Sequence, residues 1–396
     1  MQEDMHYYGT YALARCAGLS VDIATKIACS AQFVDDSSQN DSEQHADGGM
    51  LYGIATVHDN LAVIKNQLTD PIEQRKVWVP FHFFPGNEAW SVENNNPPMK
   101  ERLICRRDSK LAREMVDNNL QKALSCDYGP HLLGITAHVY ADTFAHYGFS
   151  GISSNLNEVE GESITLNVDN SEILAYIKKK STGYHRNISQ HLRQSRMREG
   201  SWWDQARAVL VDINATVVST FGGEVAQFAA NGLGHGGVMT YPDRPYLNWS
   251  FKYKESSQPD REHGRNNPES YLDAARKLYA LFKSYYERKS FVDFDNVTGF
   301  EQFEERVKRI IAIEGNKADR INAWKSAIGN NELFDATAES LDYDPSKWEA
   351  DKHNFPNFRS SAEASDTDVY RFHQAAVYHR YYTLKDLLPG KGIVVL

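Results

Sequence analysis

From Tyr7 to Val34, apolar and small residues recur at intervals of three and four, the spacing that lays one stripe along a helix. The run breaks at CAGLSVD, where Gly18 ends one helix and Ser20 is placed to cap the next. The stretch therefore predicts a helical hairpin ending at AQFVDD. The polar SSQNDSEQHADGG (37–49) predicts a loop, and VWVPFHFFPGNEAW (77–90) carries too much proline and aromatic residue for a regular helix. Helical periodicity returns over about 108–125 and 130–147, while the segment ESITLNVDN alternates as a short strand does. A long helix is expected over 202–231, stopped by the glycines of GLGHGG, and further helices near 268–288, 299–314, 317–327 and 364–386. The expected class is mainly α, a multi-helix bundle with irregular connections. The polar KYKESSQPDREHGRNNP, near 250–267, divides a helical core (1–250) that carries the candidate metal ligands from a helical C-terminal extension (251–396) packed on it.

Composition narrows the function. With 396 residues the chain exceeds the size at which one core usually stops growing. The formal net charge of −10 opposes diffuse attraction to nucleic acid or an anionic membrane, so a polyanionic substrate needs a local positive centre. Cys16, Cys29, Cys105 and Cys126 form no CxxC and are expected as packed thiols. MQEDMHYYGTYALAR carries two acids before any base and no apolar h-region, so no cleaved signal is expected. Gln2 is bulky, which favours retention of Met1 with a free amino group. Either the protein works in the cytoplasm or it is exported without a cleaved signal, as a toxin delivered by a contractile secretion system would be. No run of 18 apolar residues is present.

The stretch TAHVYADTFAHYGFSG (136–151) places His138, Asp142 and His146 four apart. At 100° per residue they share an arc of about 80°, each roughly 6 Å further along the axis. Their neighbours Val139, Ala141, Phe144 and Ala145 are apolar, so the helix is expected to be buried nearly all round. Buried imidazoles and carboxylates need partners: a divalent metal supplies them, and so does a plain Asp–His core pair. Asp35 and Asp36 close a helix at the end where the macrodipole disfavours anions, so an acid there faces water or finds a cation. His82 lies in PFHFF, held in an apolar wall. His6 lies five residues from the amino terminus, and His235, in GLGHGG, is followed by Asp243 in YPDRP.

Together these residues resemble the zinc-dependent phospholipase C and single-strand nuclease superfamily, mainly α-helical phosphodiesterases with a trinuclear zinc cluster. The resemblance implies that the Met1 amine and His6 bind one metal. It implies that Asp35 in AQFVD, His82 and the HxxxD pair His138 and Asp142 bind another, with Asp142 bridging. His146 then opens the remaining site; the HxxxD or HxxxE pair that completes it in the superfamily is not evident here, and His235 with Asp243 stands in for it. Two departures stand out: His146 follows Asp142 by four residues without an intervening proline, and the first residue is Met rather than Trp. The matches fall within roughly the first 150 residues, and 250–396 has no counterpart. The HYYGTY start and the ADTFAH helix also resemble an uncharacterised bacterial group.

The implied activity is metal-assisted phosphodiester hydrolysis with two or three Zn2+, or another divalent metal, and Asp35 orienting or deprotonating the attacking water. A phospholipid or small phosphodiester is the expected substrate; a nucleic acid fits less well, because KKKSTGYHRN (178–187) and RQSRMR (193–198) are the only basic clusters. Trp90, Trp202, Trp203, Tyr147 and Phe149 are candidates for an apolar groove. The alternatives are a nuclease of the same superfamily, or a metal-stapled helical binding protein without catalysis. A metallopeptidase is disfavoured because HExxH is absent.

Overall fold

The computed structural model describes residues 1–58, 70–86, 97–179, 233–254, 264–289, 299–335 and 342–395. The expected long helix over 202–231, the tryptophans at 90, 202 and 203, RQSRMR and most of KKKSTGYHRN lie outside these residues.

The N-terminal hairpin forms as its punctuation predicts. A π-helical segment, Asp4–Gly9, runs into α1 (Thr10–Cys16), and Gly18 takes φ +93°, the left-handed conformation that glycine tolerates. The Ser20 hydroxyl then accepts the Ile23 N–H at 3.3 Å and opens α2 (Val21–Asp36). Ser109 caps α3 (Lys110–Ala123) in the same way.

At the centre is α4 (Gly129–His146), in which every residue but Pro130 is buried. Helices α2, α3, α5 (Asn267–Lys289) and α9 (Asp368–Tyr381) pack around it. Between α5 and α9 in the chain come α6 (Glu304–Ile311), α7 (Lys317–Gly329) and α8 (Ser346–His353). The approach of α2 to α4 depends on Gly134. A Cβ there would lie 2.3 Å from the Ile27 carbonyl oxygen.

One apolar core contains Leu13, Phe33 and Phe144 together with Phe282, Trp324 and Phe372, and so joins both sides of residue 250. A second core, with Trp78, Phe83, Phe149 and Phe251, lies under an antiparallel sheet of β3 (Thr165–Asn167), β4 (Asn248–Ser250) and β5 (Gly264–Asn266). Leu166, Trp249 and Arg265 are in register across it.

The structure is mainly helical, as expected, with local differences. The polar 37–49 stretch contributes to a hairpin of β1 (Ser42–Gln44) and β2 (Met50–Tyr52). Within 77–90, helical turns reach Phe81. Asp70 caps Pro71–Glu73, a π segment follows over Gln74–Trp78, and Pro80 is accommodated at the start of the last short turn. Helix α8 was not expected. Each of the four cysteines is a free thiol, and among the described residues no helix is long and apolar enough to cross a membrane.

Candidate metal centre

The α4 stripe places Asp142, 1% exposed, at the middle of a cluster. Its Oδ1 accepts from the Met1 amine at 2.5 Å and lies 3.2 Å from His6 Nε2. Its Oδ2 lies 3.3 Å from His138 Nε2 and 3.5 Å from His82 Nδ1. One carboxylate thus faces two groups of nitrogen donors, as a bridging ligand does.

The imidazoles are held from behind by the backbone. His138 Nδ1–H donates to the Ala31 carbonyl at 2.7 Å, across the α2–α4 contact that Gly134 permits. His82 Nε2–H donates to the Thr56 carbonyl at 2.8 Å, His146 Nδ1–H to the His82 carbonyl at 2.8 Å, and His235 Nδ1–H to the Met239 carbonyl at 2.6 Å. A carbonyl only accepts, so each of these nitrogens carries the hydrogen, and in the neutral ring the other carries a lone pair. Those lone pairs converge. His138 Nε2 faces His82 Nδ1 at 3.4 Å, His146 Nε2 faces Asp243 Oδ1 at 3.0 Å, and His235 Nε2 faces Asp243 Oδ2 at 3.5 Å. Acceptor facing acceptor in a buried place calls for a cation between them. Two further buried groups agree: both ring nitrogens of His6 and Oδ2 of Asp142 have no hydrogen-bond partner. His6 stacks on His138 with centroids 3.8 Å apart, so its ring is fixed although its nitrogens are not.

All nine sequence candidates, Met1, His6, Asp35, His82, His138, Asp142, His146, His235 and Asp243, meet here. Asp35 and Asp36 diverge at the end of α2. Asp35 turns inward, 3.8 Å from both His82 Nδ1 and His138 Nε2. Asp36 turns away and accepts from the Tyr343 hydroxyl at 2.5 Å. Three donor sets can each hold a metal ion: His6, Asp35 and His138; His82, His138 and Asp142; His146, His235 and Asp243. The donors are nitrogen and carboxylate oxygen only, a set that suits zinc and similar divalent ions.

The electrostatics follow from burial against close charge. Burial alone would favour a neutral Met1 amine, but the Asp142, Asp243 and Asp35 carboxylates outweigh it and raise the ammonium to about 11. Burial and the neighbouring His138 lower His6 to about 4, and burial lowers His235 to about 4. Although burial opposes it, the surrounding imidazoles and the ammonium hold Asp142 well below the usual carboxylate range. The Met1 ammonium lies 3.2 Å from Asp243 and 3.4 Å from His146, and against burial the Asp142 and Asp35 carboxylates raise His138 above the usual imidazole value.

Two aromatic expectations are corrected. Tyr147 and Phe149 are buried and cannot line a surface groove. Tyr147 lies 3.5 Å beneath the Arg265 guanidinium, and Phe149 stacks on Phe251. Sequence reasoning missed the four carbonyls behind the imidazoles, since a carbonyl is common to every residue. It also missed Phe83, stacked on His146 at 4.9 Å.

Fold and site together define a mainly α-helical protein whose buried histidine and aspartate groups can hold a metal ion. By sequence the chain belongs to DUF6765, a family of unknown function, whose profile matches residues 1–387. No curated protein and no solved structure matches it.

Proposed function

We propose that the protein is a zinc-dependent phosphodiester hydrolase, similar in its donor set to zinc-dependent phospholipase C and the single-strand nucleases. The supporting observation is the set of imidazoles whose outer nitrogens are committed to backbone carbonyls and whose inner lone pairs converge beside Asp142. In this reading the Met1 amine and His6 hold one ion, Asp35, His82 and His138 a second, and His146, His235 and Asp243 a third, with Asp142 shared. Zinc held there supplies Lewis-acid chemistry and an activated water. Asp35 is the site carboxylate at the entrance, its side chain 30% exposed against 1% for Asp142 and 8% for Asp243. It orients the attacking water and accepts its proton. The buried carboxylates hold charge in place.

A phospholipid or small phosphodiester fits better than nucleic acid, because the chain's net charge of −10 leaves the metal centre as the principal attraction for an anion. The test is turnover of bis(p-nitrophenyl) phosphate and of phosphatidylcholine vesicles by untagged protein. Chelation should abolish it and zinc restore it; turnover persisting in excess chelator removes the mechanism. A second reading, a metal staple in a helical binding protein, draws on the burial of every donor except Asp35. It expects full metal content with no turnover of either substrate.

A further inference from the structure

We propose that Arg320, on α7 in the C-terminal half, is a positioning residue that holds the first residues of the chain against the metal centre. Arg320 is 1% exposed, a buried guanidinium with every nitrogen engaged. Its Nε and Nη2 grip the two oxygens of Asp4 at 2.8 and 3.3 Å, Nη2 also donates to the Gln2 side-chain oxygen at 2.5 Å, and Nη1 donates to the Gly315 carbonyl at 3.0 Å. The fork is rigid because the start of α7 is rigid: Asn316 and Asp319 form a reciprocal capping box beside the Gly315 carbonyl.

Gln2 and Asp4 lie between the two groups that face the site, Met1 and His6. The Gln2 carbonyl accepts the His6 N–H at 2.9 Å, so the residue that Arg320 holds by its side chain also fixes the backbone of His6. On the other side of the same short segment, the Met1 amine and His6 Nε2 reach Asp142 Oδ1. A chain end frays unless tied down, and here the tie is a bidentate ion pair 316 residues away in sequence. A lysine would offer one point of attachment where the guanidinium offers a planar fork. The proposal rests on the metal reading only for what the tethered amine and imidazole hold.

The test uses untagged full-length protein with its amino terminus verified by mass spectrometry. Arg320→Met combined with Asp4→Leu removes both charges together and leaves neither buried and unpaired, and circular dichroism checks that the fold is retained. Gln2→Leu is the milder variant, which keeps the ion pair and a bulky second residue behind Met1. Two readouts are taken: zinc per chain by elemental analysis, and the labelling rate of the Met1 amine by a limiting amine-reactive reagent on zinc-free protein. The double variant should lose one zinc per chain and label at least tenfold faster. Gln2→Leu should label faster by a smaller factor, and Arg320→Lys should fall between it and the double variant. Unchanged labelling in the double variant overturns the proposal whatever the metal content. Faster labelling in a protein that never takes up zinc sustains the clamp and overturns the metal reading instead.

Discussion

Gly134→Ala sets two effects of opposite sign against each other at the contact that aims His138. Alanine in a helix interior is favoured over glycine by about 1 kcal/mol. Against this, the new methyl would meet the Ile27 carbonyl oxygen at 2.3 Å, Ser30 Cβ at 2.5 Å and the Ala31 nitrogen at 3.0 Å, two of them backbone atoms of α2. Ordinary contact begins at 3.4 Å, so α2 must retreat by about 1 Å from a helix that is itself packed on all sides. Overpacking of this kind costs about 1–3 kcal/mol, and a backbone obstacle places it in the upper part of that range. The net expectation is a loss of about 1–2 kcal/mol, read as a fall of a few degrees in apparent Tm. The same retreat draws the Ala31 carbonyl away from His138 Nδ1, now 2.7 Å distant, and releases the ring from its tautomer. Loss of an outer-shell hydrogen bond of this type lowers metal affinity about 10–100-fold. Differential scanning fluorimetry and competition with a chelating dye measure the two consequences. A raised Tm with unchanged affinity would refute the reasoning, since propensity would then have outweighed contact.

Other expectations concern the site and its surroundings. Asp35→Asn should abolish phosphodiester turnover, whereas Asp36→Asn, whose side chain bonds Tyr343 outside the cluster, should keep both turnover and metal; equal losses in kinetic assays would contradict the assignment. Zinc binding should release protons at pH 8, because the Met1 ammonium, raised to about 11, must become an amine to bind metal. Calorimetry in buffers of different ionisation enthalpy would show this, and an N-acetylated chain should release fewer protons. Burial lowers His379 to about 4 and His373 to about 3, so the folded state keeps both neutral while the unfolded chain protonates them near pH 6.5. Stability should therefore hold above pH 6.5 and fall as pH drops towards 4, by roughly 3 kcal/mol for His379 alone, and His379→Gln should flatten that slope in urea titrations.

The site was more legible in the sequence than the fold around it, for a physical reason. His138, Asp142 and His82 break strongly apolar surroundings, and a polar group that violates its local pattern must be accounted for by a partner. Asp35 was legible from the macrodipole it opposes, while its divergence from Asp36 depends on Tyr343, some 307 residues away. The hairpin over Ser42–Tyr52 was hidden because each of its strands is only three residues long, too short to show a period. The helix Ser346–His353 buries only Trp348 and Lys352, too few positions to set a period. The pairing of Asp4 with Arg320 was beyond reach because each is an ordinary charged residue on its own helix. Only the folded chain brings them to 2.8 Å.

The central claim is that the converging imidazoles and Asp142 hold a multi-metal centre. Its most direct test is elemental analysis of untagged protein purified without added chelator, repeated on His138→Ala and Asp142→Ala. Two or three zinc ions per chain in the parent, with a loss of at least one in each variant, is the result expected. A parent without metal, or a metal content that neither substitution changes, would contradict the account.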